Sequence, residues 1–376
     1  MRTALLDIAA ESPLSPKATL LPYCPSPGLL RCGRAAVRDG DAVSYHRLNA
    51  AALATLSLAD LPAPLHTADR VLVSASGVAA SSLATLRALL PGPVTWIDAH
   101  TAHADEQPDY ALTRGHASCQ AEVDSAPWWA PVHPWTTAGG TAAVRPVRSA
   151  TAAAESFASA AASLVGVTNP TVYVNDVDQI VDMDRLRMLA RGVHQTIDAH
   201  KTLVGLHMRI WPRDLLADPR LADHLTLLPL ESLELLAGSF VPASAAHDPR
   251  VGGIESVQAA LGRLATAGLA HLTTVSLTVA LPGEQAEDCV DSLNVAVSSC
   301  TSARIRRLRV AAYLGPGGAP ESAVDQHARF AATHQGWHPM EYRALFDMSV
   351  LLASAVPELT LIGPGWLPAW EPPLES

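Results

Sequence analysis

Lysine is almost missing from this chain. Only Lys17 and Lys201 occur in 376 residues, and neither lies in a recognisable motif, so Schiff-base or amine-nucleophile chemistry has few candidates. No basic stripe runs along the sequence and the formal net charge is −10 at pH 7, which excludes the cationic surface that nucleic-acid binding needs. No apolar run reaches the roughly 18 residues of a membrane-spanning helix. The opening MRTALLDIAA lacks the long apolar core of a secretory signal. The five cysteines, Cys24, Cys32, Cys119, Cys289 and Cys300, are odd in number and scattered. They predict reduced thiols and a cytoplasmic setting rather than a disulfide framework. Also missing are a Walker loop, Gly-x-Ser-x-Gly, and Gly-x-Gly-x-x-Gly after a strand. His327, His334 and His338 do not form the i,i+4 pair flanking a Glu that zinc hydrolases use.

What is present reads as ordered and globular. Hydrophobic residues make up 49% and charged residues 16%, and the length allows two domains with cores of their own. The clearest stretch is Val251–Asp288. Ile254, Val257, Leu261 and Leu264 recur at spacings of three and four, which predicts one face of a helix. Gly268 follows as its stop. Thr273, Val275, Leu277 and Val279 then alternate with Thr274, Ser276 and Thr278, which is strand periodicity. Leu281-Pro282-Gly283-Glu284 breaks that strand, and Val290, Leu293 and Val297 mark a second helix. Helix, strand, turn and helix make one unit of a parallel α/β layer or barrel, in which loops after the strand carboxyl ends carry the site.

Earlier in the chain, Ala4–Asp7, Asp41–Leu48, Arg70–Ser74 and Pro93–Asp98 read as strands. Leu29–Val37, Ala51–Leu58 and a segment from Ser76-Gly77 to about Leu89 read as helices. This alternation predicts a small doubly wound domain. Later strands are expected at Thr171–Val174, Leu203–Ile210, Ser232–Ala237 and Arg304–Leu314. Later helices are expected at Ser149–Val165, Asp184–His200 and Pro339–Ala353, before an extended Pro-rich tail.

Several of these segments together resemble radical SAM proteins that carry an N-terminal cobalamin-binding domain. They are LPGE followed by an acidic helix, SPGLLRCGRAAVRDGDAVSYHRLN, VLVSASGVAASSLATLRALLPGPVTWIDAHTA, YALTRGHASCQAEV, RIWPRDLLADPRL and YLGPGGAP. The resemblance implies an α/β fold with a Rossmann-like, cobalamin-binding-type domain over residues 1–105. A partial (β/α) TIM-type, radical SAM-like barrel would follow over 106–325, then C-terminal helices and tail over 326–376. In that family a strand ending near Arg-Gly leads into Cys-x3-Cys-x2-Cys, whose thiolates hold three irons of a [4Fe–4S] cluster. Aligned on Arg114-Gly115, the ligand positions here are His116, Gln120 and Val123, with Cys119 one residue out of place. Three thiolates are needed and this loop offers one, so no [4Fe–4S] cluster of its own is expected. The alternative is that Cys119 and His116 join distant cysteines.

The same resemblance places Ser74, Ser76, Gly77 and His100 in strand-end loops that would hold a corrin ring. It places Asp176 at a strand end, and Gly238 and Ser239 where the family brings SAM close. Ser74 and Ser76 also read as turn or capping residues, and capping accounts for most of the aspartates near Asp176. No Asp-x-His-x-x-Gly motif occurs, so a histidine ligand to cobalt is not expected by that route; whether cobalamin or SAM binds stays open. Trp128, Trp129 and Trp135 read either as anchors for a partner or as rings packing their own loop.

The expectation is a pseudo-enzyme: a cluster-free partner of a cluster-bearing radical SAM homologue, forming a heteromeric, cobalamin-dependent C-methyltransferase of specialised-metabolite biosynthesis. The alternatives are a stand-alone enzyme with repurposed SAM- or cobalamin-dependent non-radical chemistry, relying on Asp176, His207 and Arg209, or a cofactor-binding regulatory protein. Neither nucleic acid nor membrane is an expected partner.

Overall fold

The structure, a computed structural model, describes residues 1–9, 27–49, 53, 55–74, 80–90, 92–97, 107–113, 118–121, 150–168, 171–174, 183–200, 205–242, 253–281, 283–312 and 360–362. Among these residues the strands form two all-parallel sheets. No helix among them is long and apolar enough to cross a membrane.

The first sheet is built from β1 (Arg2–Ala9), β2 (Ala42–Asn49), β3 (Arg70–Ser74) and β4 (Val94–Trp96), in the order β2-β1-β3-β4. Its central strands are apolar on both faces, as strands covered on both sides must be: Thr3 through Ile8 and Val71 through Ser74 are all buried. Alternation sorts these residues into two cores. Leu5 and Leu72 pack with Leu29 and Cys32 of α1 (Pro27–Arg38). Ala4, Leu6, Ile8, Val71 and Val73 pack on the other side with Leu65 of α2 (Ala63–Thr67) and Leu86 of α3 (Ala80–Leu89).

Of the helix expected over Ala51–Leu58, residues 53 and 55–58 are described, and none of these is α-helical. Among the described residues there, Leu58–Asp60 form a 3-10 turn. The Asp60 carboxylate accepts the Ser57 N–H at 2.9 Å and the Ser57 hydroxyl at 2.6 Å. Such side-chain-to-backbone bonds compete with helix propagation, and Pro62 and Pro64 follow at once.

The second sheet runs in strict chain order from β5 to β11. It comprises β5 (Ser118–Ala121), α4 (Ala150–Ser163), β6 (Thr171–Val174), α5 (Met183–His200), β7 (Gly205–Ile210), α6 (Pro212–Ala217), α7 (Leu221–Leu225), β8 (Leu230–Gly238), α8 (Gly253–Thr266), β9 (Thr273–Val279), α9 (Ala286–Ser302), β10 (Arg307–Ala312) and β11 (Thr360–Ile362). Consecutive parallel neighbours need crossover connections, and between β5 and β10 the helices α4 to α9 supply them. Val257, Leu261 and Leu264 of α8, the positions expected from spacing, meet Leu235, Val275 and Val310 of the strands in one continuous core. Gly268 has φ +77° and ends that helical segment as expected. The buried face of α9 is centred on Cys289, Leu293, Ala296 and Cys300, with Val290 only partly buried.

Two differences from expectation bear on function. The segment before Arg114-Gly115 is not a strand: Tyr110–Thr113 form a 3-10 turn, and β5 begins after that dipeptide, at Ser118. Asp109 Oδ1 accepts the Ala111 N–H at 3.1 Å, and the Thr113 hydroxyl donates to the Tyr110 carbonyl at 3.0 Å. These bonds close a turn where an extended chain was expected. Cys119 therefore lies within a strand, registered with Val172 of β6, and not in a loop after one. The second difference is β11. It lies in the stretch read as C-terminal helices and tail, yet pairs with β10 and extends the sheet.

Candidate functional site

In open parallel α/β sheets, ligands bind beyond the carboxyl ends of the strands, where strand order reverses. In the small sheet that point lies between β1 and β3. Asp7 and Ser74 are registered partners there. Both are buried, at 5% and 2% exposure, and Asp7 Oδ2 accepts the Tyr45 hydroxyl at 3.1 Å. Ser74 was expected from the sequence; Asp7, three residues inside the first strand, was not. The remaining small-sheet candidates, Ser76, Gly77 and His100, lie outside the described residues, as do Asp176, Trp128, Trp129 and Trp135.

At the carboxyl ends of β8 and β9 the described residues form a compact polar knot. Gly238, with φ +61°, turns the chain at the end of β8, and Ser239 behind it is 4% exposed. The Ser239 hydroxyl donates to Glu284 Oε1 and accepts the Val241 N–H at 3.1 Å. Glu284, 2% exposed, also accepts the Leu281 N–H at 2.9 Å and the Cys289 thiol at 3.6 Å on Oε2. Ala280 sits at φ +58°, a left-handed conformation that costs an alanine about 1 kcal/mol. Its N–H donates to Cys289 Sγ at 3.2 Å. Gly238 and Ser239 are thus at a strand end, as expected, and the Ser239 hydroxyl is engaged within the protein. Glu284, read from the sequence only as part of a strand break, is the carboxylate that ties the two strand ends together.

A second polar group lies on the sheet face turned away from the helices. Leu233 and Leu235 of β8 join the helix-side core, as do Leu236 and Ala237 where the register shifts, so before that shift Ser232 and Glu234 take the opposite face by alternation. The same holds for Ser276 of β9 and Arg309 of β10. Arg309 Nη1 stands 2.6 Å from Glu234 Oε1, with side-chain exposures of 22% and 11%, and the Ser276 hydroxyl donates to that same oxygen. Three adjacent strands are thereby tied through one carboxylate. His207 and Arg209 of β7 are registered with Ser232 and Glu234. Sequence reasoning missed Glu234 and Arg309. The available signal was a Glu inside the Leu-rich run LESLELL, since a charge in a buried strand almost always has a partner.

The three thiols among the described residues are placed unfavourably for metal binding. Cys32 lies in the small-sheet core, its pKa pushed up to about 11 by burial, against the opposing pull of Arg31 and Arg70. Cys300 is pushed up to about 12, again by burial. Cys289 is raised further, by burial first and then by the Glu284 charge. A metal ligand must be a thiolate; Cys32 and Cys300 are buried among apolar side chains, and the buried Cys289 thiol is engaged with Glu284 and the Ala280 N–H.

No protein-family model and no curated protein matches the chain. Among solved structures it is similar to coproporphyrinogen III oxidase from Escherichia coli, described as a radical SAM enzyme. The TM-score is 0.38 and the identity 14%, over 52% of this chain and 42% of that one. The chain spans less than half of that protein's length, and a likeness of this size transfers neither fold nor activity.

Proposed function

We propose that the chain is a cluster-free partner subunit in a cobalamin-dependent, radical SAM-type enzyme, a C-methyltransferase of small-molecule biosynthesis. The observation that carries the cluster-free part is the placement of the thiols. A [4Fe–4S] cluster of this type needs three thiolates. Of the five cysteines, Cys32, Cys289 and Cys300 are buried, which leaves Cys24 and Cys119. The ligand positions that the family resemblance implies, His116, Gln120 and Val123, hold no cysteine, and none occurs over residues 122–149. Two features support a retained scaffold: a parallel sheet whose order reverses at β1/β3, as a Rossmann-like cofactor domain would have, and a second parallel sheet in chain order, as a partial barrel would have. Trp128, Trp129 and Trp135 remain the proposed partner anchors. Ser74, Ser76, Gly77 and His100 remain the proposed contacts to cobalamin. Asp176, Gly238 and Ser239 would lie at the barrel mouth, with Ser239 acting through its backbone because its hydroxyl is engaged.

A second reading has its own observation. The Glu234–Ser276–Arg309 group occupies the sheet face away from the helices, beside the registered positions of His207 and Arg209. A stand-alone enzyme with repurposed, non-radical chemistry would use that face, and substituting His207 or Arg209 by Ala would then abolish turnover with the fold intact.

The test is anaerobic reconstitution with iron, sulfide and cobalamin, of the chain alone and co-expressed with its nearest genomic radical SAM neighbour. The reading expects no cluster in the isolated chain and a stable complex that carries one. A cluster in the isolated chain, or full activity of the neighbour without it, overturns the partner assignment. Saturable cobalamin binding by the chain alone, with no complex, would favour the regulatory alternative.

A further inference from the structure

Residues 107–113 lie between the two sheets and bind both. On the small-sheet side, Gly33 of α1 comes so close that a Cβ there would stand 2.6 Å from both Leu112 Cδ1 and Leu5 Cδ1. The Asp109 N–H donates to the Leu30 carbonyl at 3.5 Å, and Arg34 Nη1 to the Gln107 carbonyl at 3.5 Å. On the large-sheet side, Gln107 Nε2 donates to the Ala152 carbonyl of α4 at 3.3 Å. The Tyr110 and Ser156 hydroxyls pair at 3.2 Å, with both residues buried. Leu30 belongs to the same apolar cluster as Tyr110, Phe157 and Val172, so a helix of the small sheet helps build the core of the large one. Linkers that hinge are exposed, polar and poor in contacts. This one buries Pro108, Tyr110 and Thr113.

We infer that residues 107–113 act as a strut that makes the two sheets one cooperative unit, so that a shift of α1 is passed to α4 and β6 instead of being absorbed by a hinge. The consequence is functional. α1 opens beyond the carboxyl end of β1, beside the β1/β3 reversal, so whatever displaces it there is felt in the large sheet.

The test is native-state hydrogen exchange of the full chain with a perturbation far from the strut. Leu65 is fully buried in the small-sheet core against Val71 and Leu86. In Leu65→Ala the most protected amides of β3 and of β7 should accelerate by the same factor, roughly thirtyfold or more. If that variant does not fold, Ile8→Val in the same core gives the same comparison at roughly threefold. Acceleration in β3 with β7 unchanged overturns the strut. Adding Tyr110→Ala should break the equality, β3 then accelerating more than β7; equality that survives the loss of Tyr110 overturns it as well.

Discussion

Removing one half of the Glu234–Arg309 pair should cost far more than removing both. In Arg309→Met the Glu234 carboxylate keeps the Ser276 hydroxyl but loses the Arg309 guanidinium, on a residue 8% exposed. Breaking a buried pair costs about 3–5 kcal/mol, because a charge is left buried without compensation. Arg309 is 22% exposed at its side chain, so water can reach the vacated position and the lower end applies, about 3 kcal/mol. In Glu234→Met/Arg309→Met neither charge of the pair remains, and apolar replacements of similar volume are often near neutral. The double variant should therefore lose about 1 kcal/mol or less, well below the loss of either single, so the coupling across the cycle should be about 3 kcal/mol or more. Urea unfolding followed by far-ultraviolet circular dichroism reads this directly. With a slope near 3 kcal/mol/M for a large chain, the midpoint should fall by about 1 M in the single variant and recover most of it in the double. A double variant as unstable as the sum of its singles would refute the reasoning.

The other predictions draw on separate parts of the molecule. The Thr3 hydroxyl, helped by Arg70, holds the Asp41 carboxyl below its usual range; its folded pKa lies below the unfolded one, so the stability it lends is full above about pH 4 and is lost as pH falls through the folded value. Asp41→Asn should flatten the acid limb of a stability–pH profile, and an unchanged limb would count against it. Cys32 and Cys300, raised to about 11 and about 12, and Cys289, raised further, should resist thiol reagents at pH 8 until the chain unfolds; labelling of any of the three faster than unfolding would contradict their burial. Glu284→Ala strands the Leu281 N–H and the Ser239 hydroxyl and should cost about 3 kcal/mol in the same urea assay. Gly268→Ala, at φ +77°, should cost about 1 kcal/mol; no loss there would mean that the helix ends by another route.

The sequence by itself determined most local elements, because those signals repeat within a few residues. Thr171–Val174 and Thr273–Val279 are strands as expected, and Gly268 stops its helix because only a residue free of Cβ takes that φ cheaply. The lack of a Cys-x3-Cys-x2-Cys run is likewise a property of the sequence. Local patterns failed where side chains bonded their own backbone, at Ser57–Asp60 and Asp109–Thr113, since those bonds override periodicity without altering it.

Tertiary structure alone decided the rest. The reversal of strand order that sets Asp7 beside Ser74 is a matter of which strands pair. Glu234 and Arg309 are 75 residues apart, and no spacing rule joins them; β8, β9 and β10 must first align in register. Whether Cys32, Cys289 and Cys300 are available thiols or core filler was equally unreadable, because a cysteine on an apolar face has the same sequence context in either case, and only the helix packing that desolvates it settles which it is.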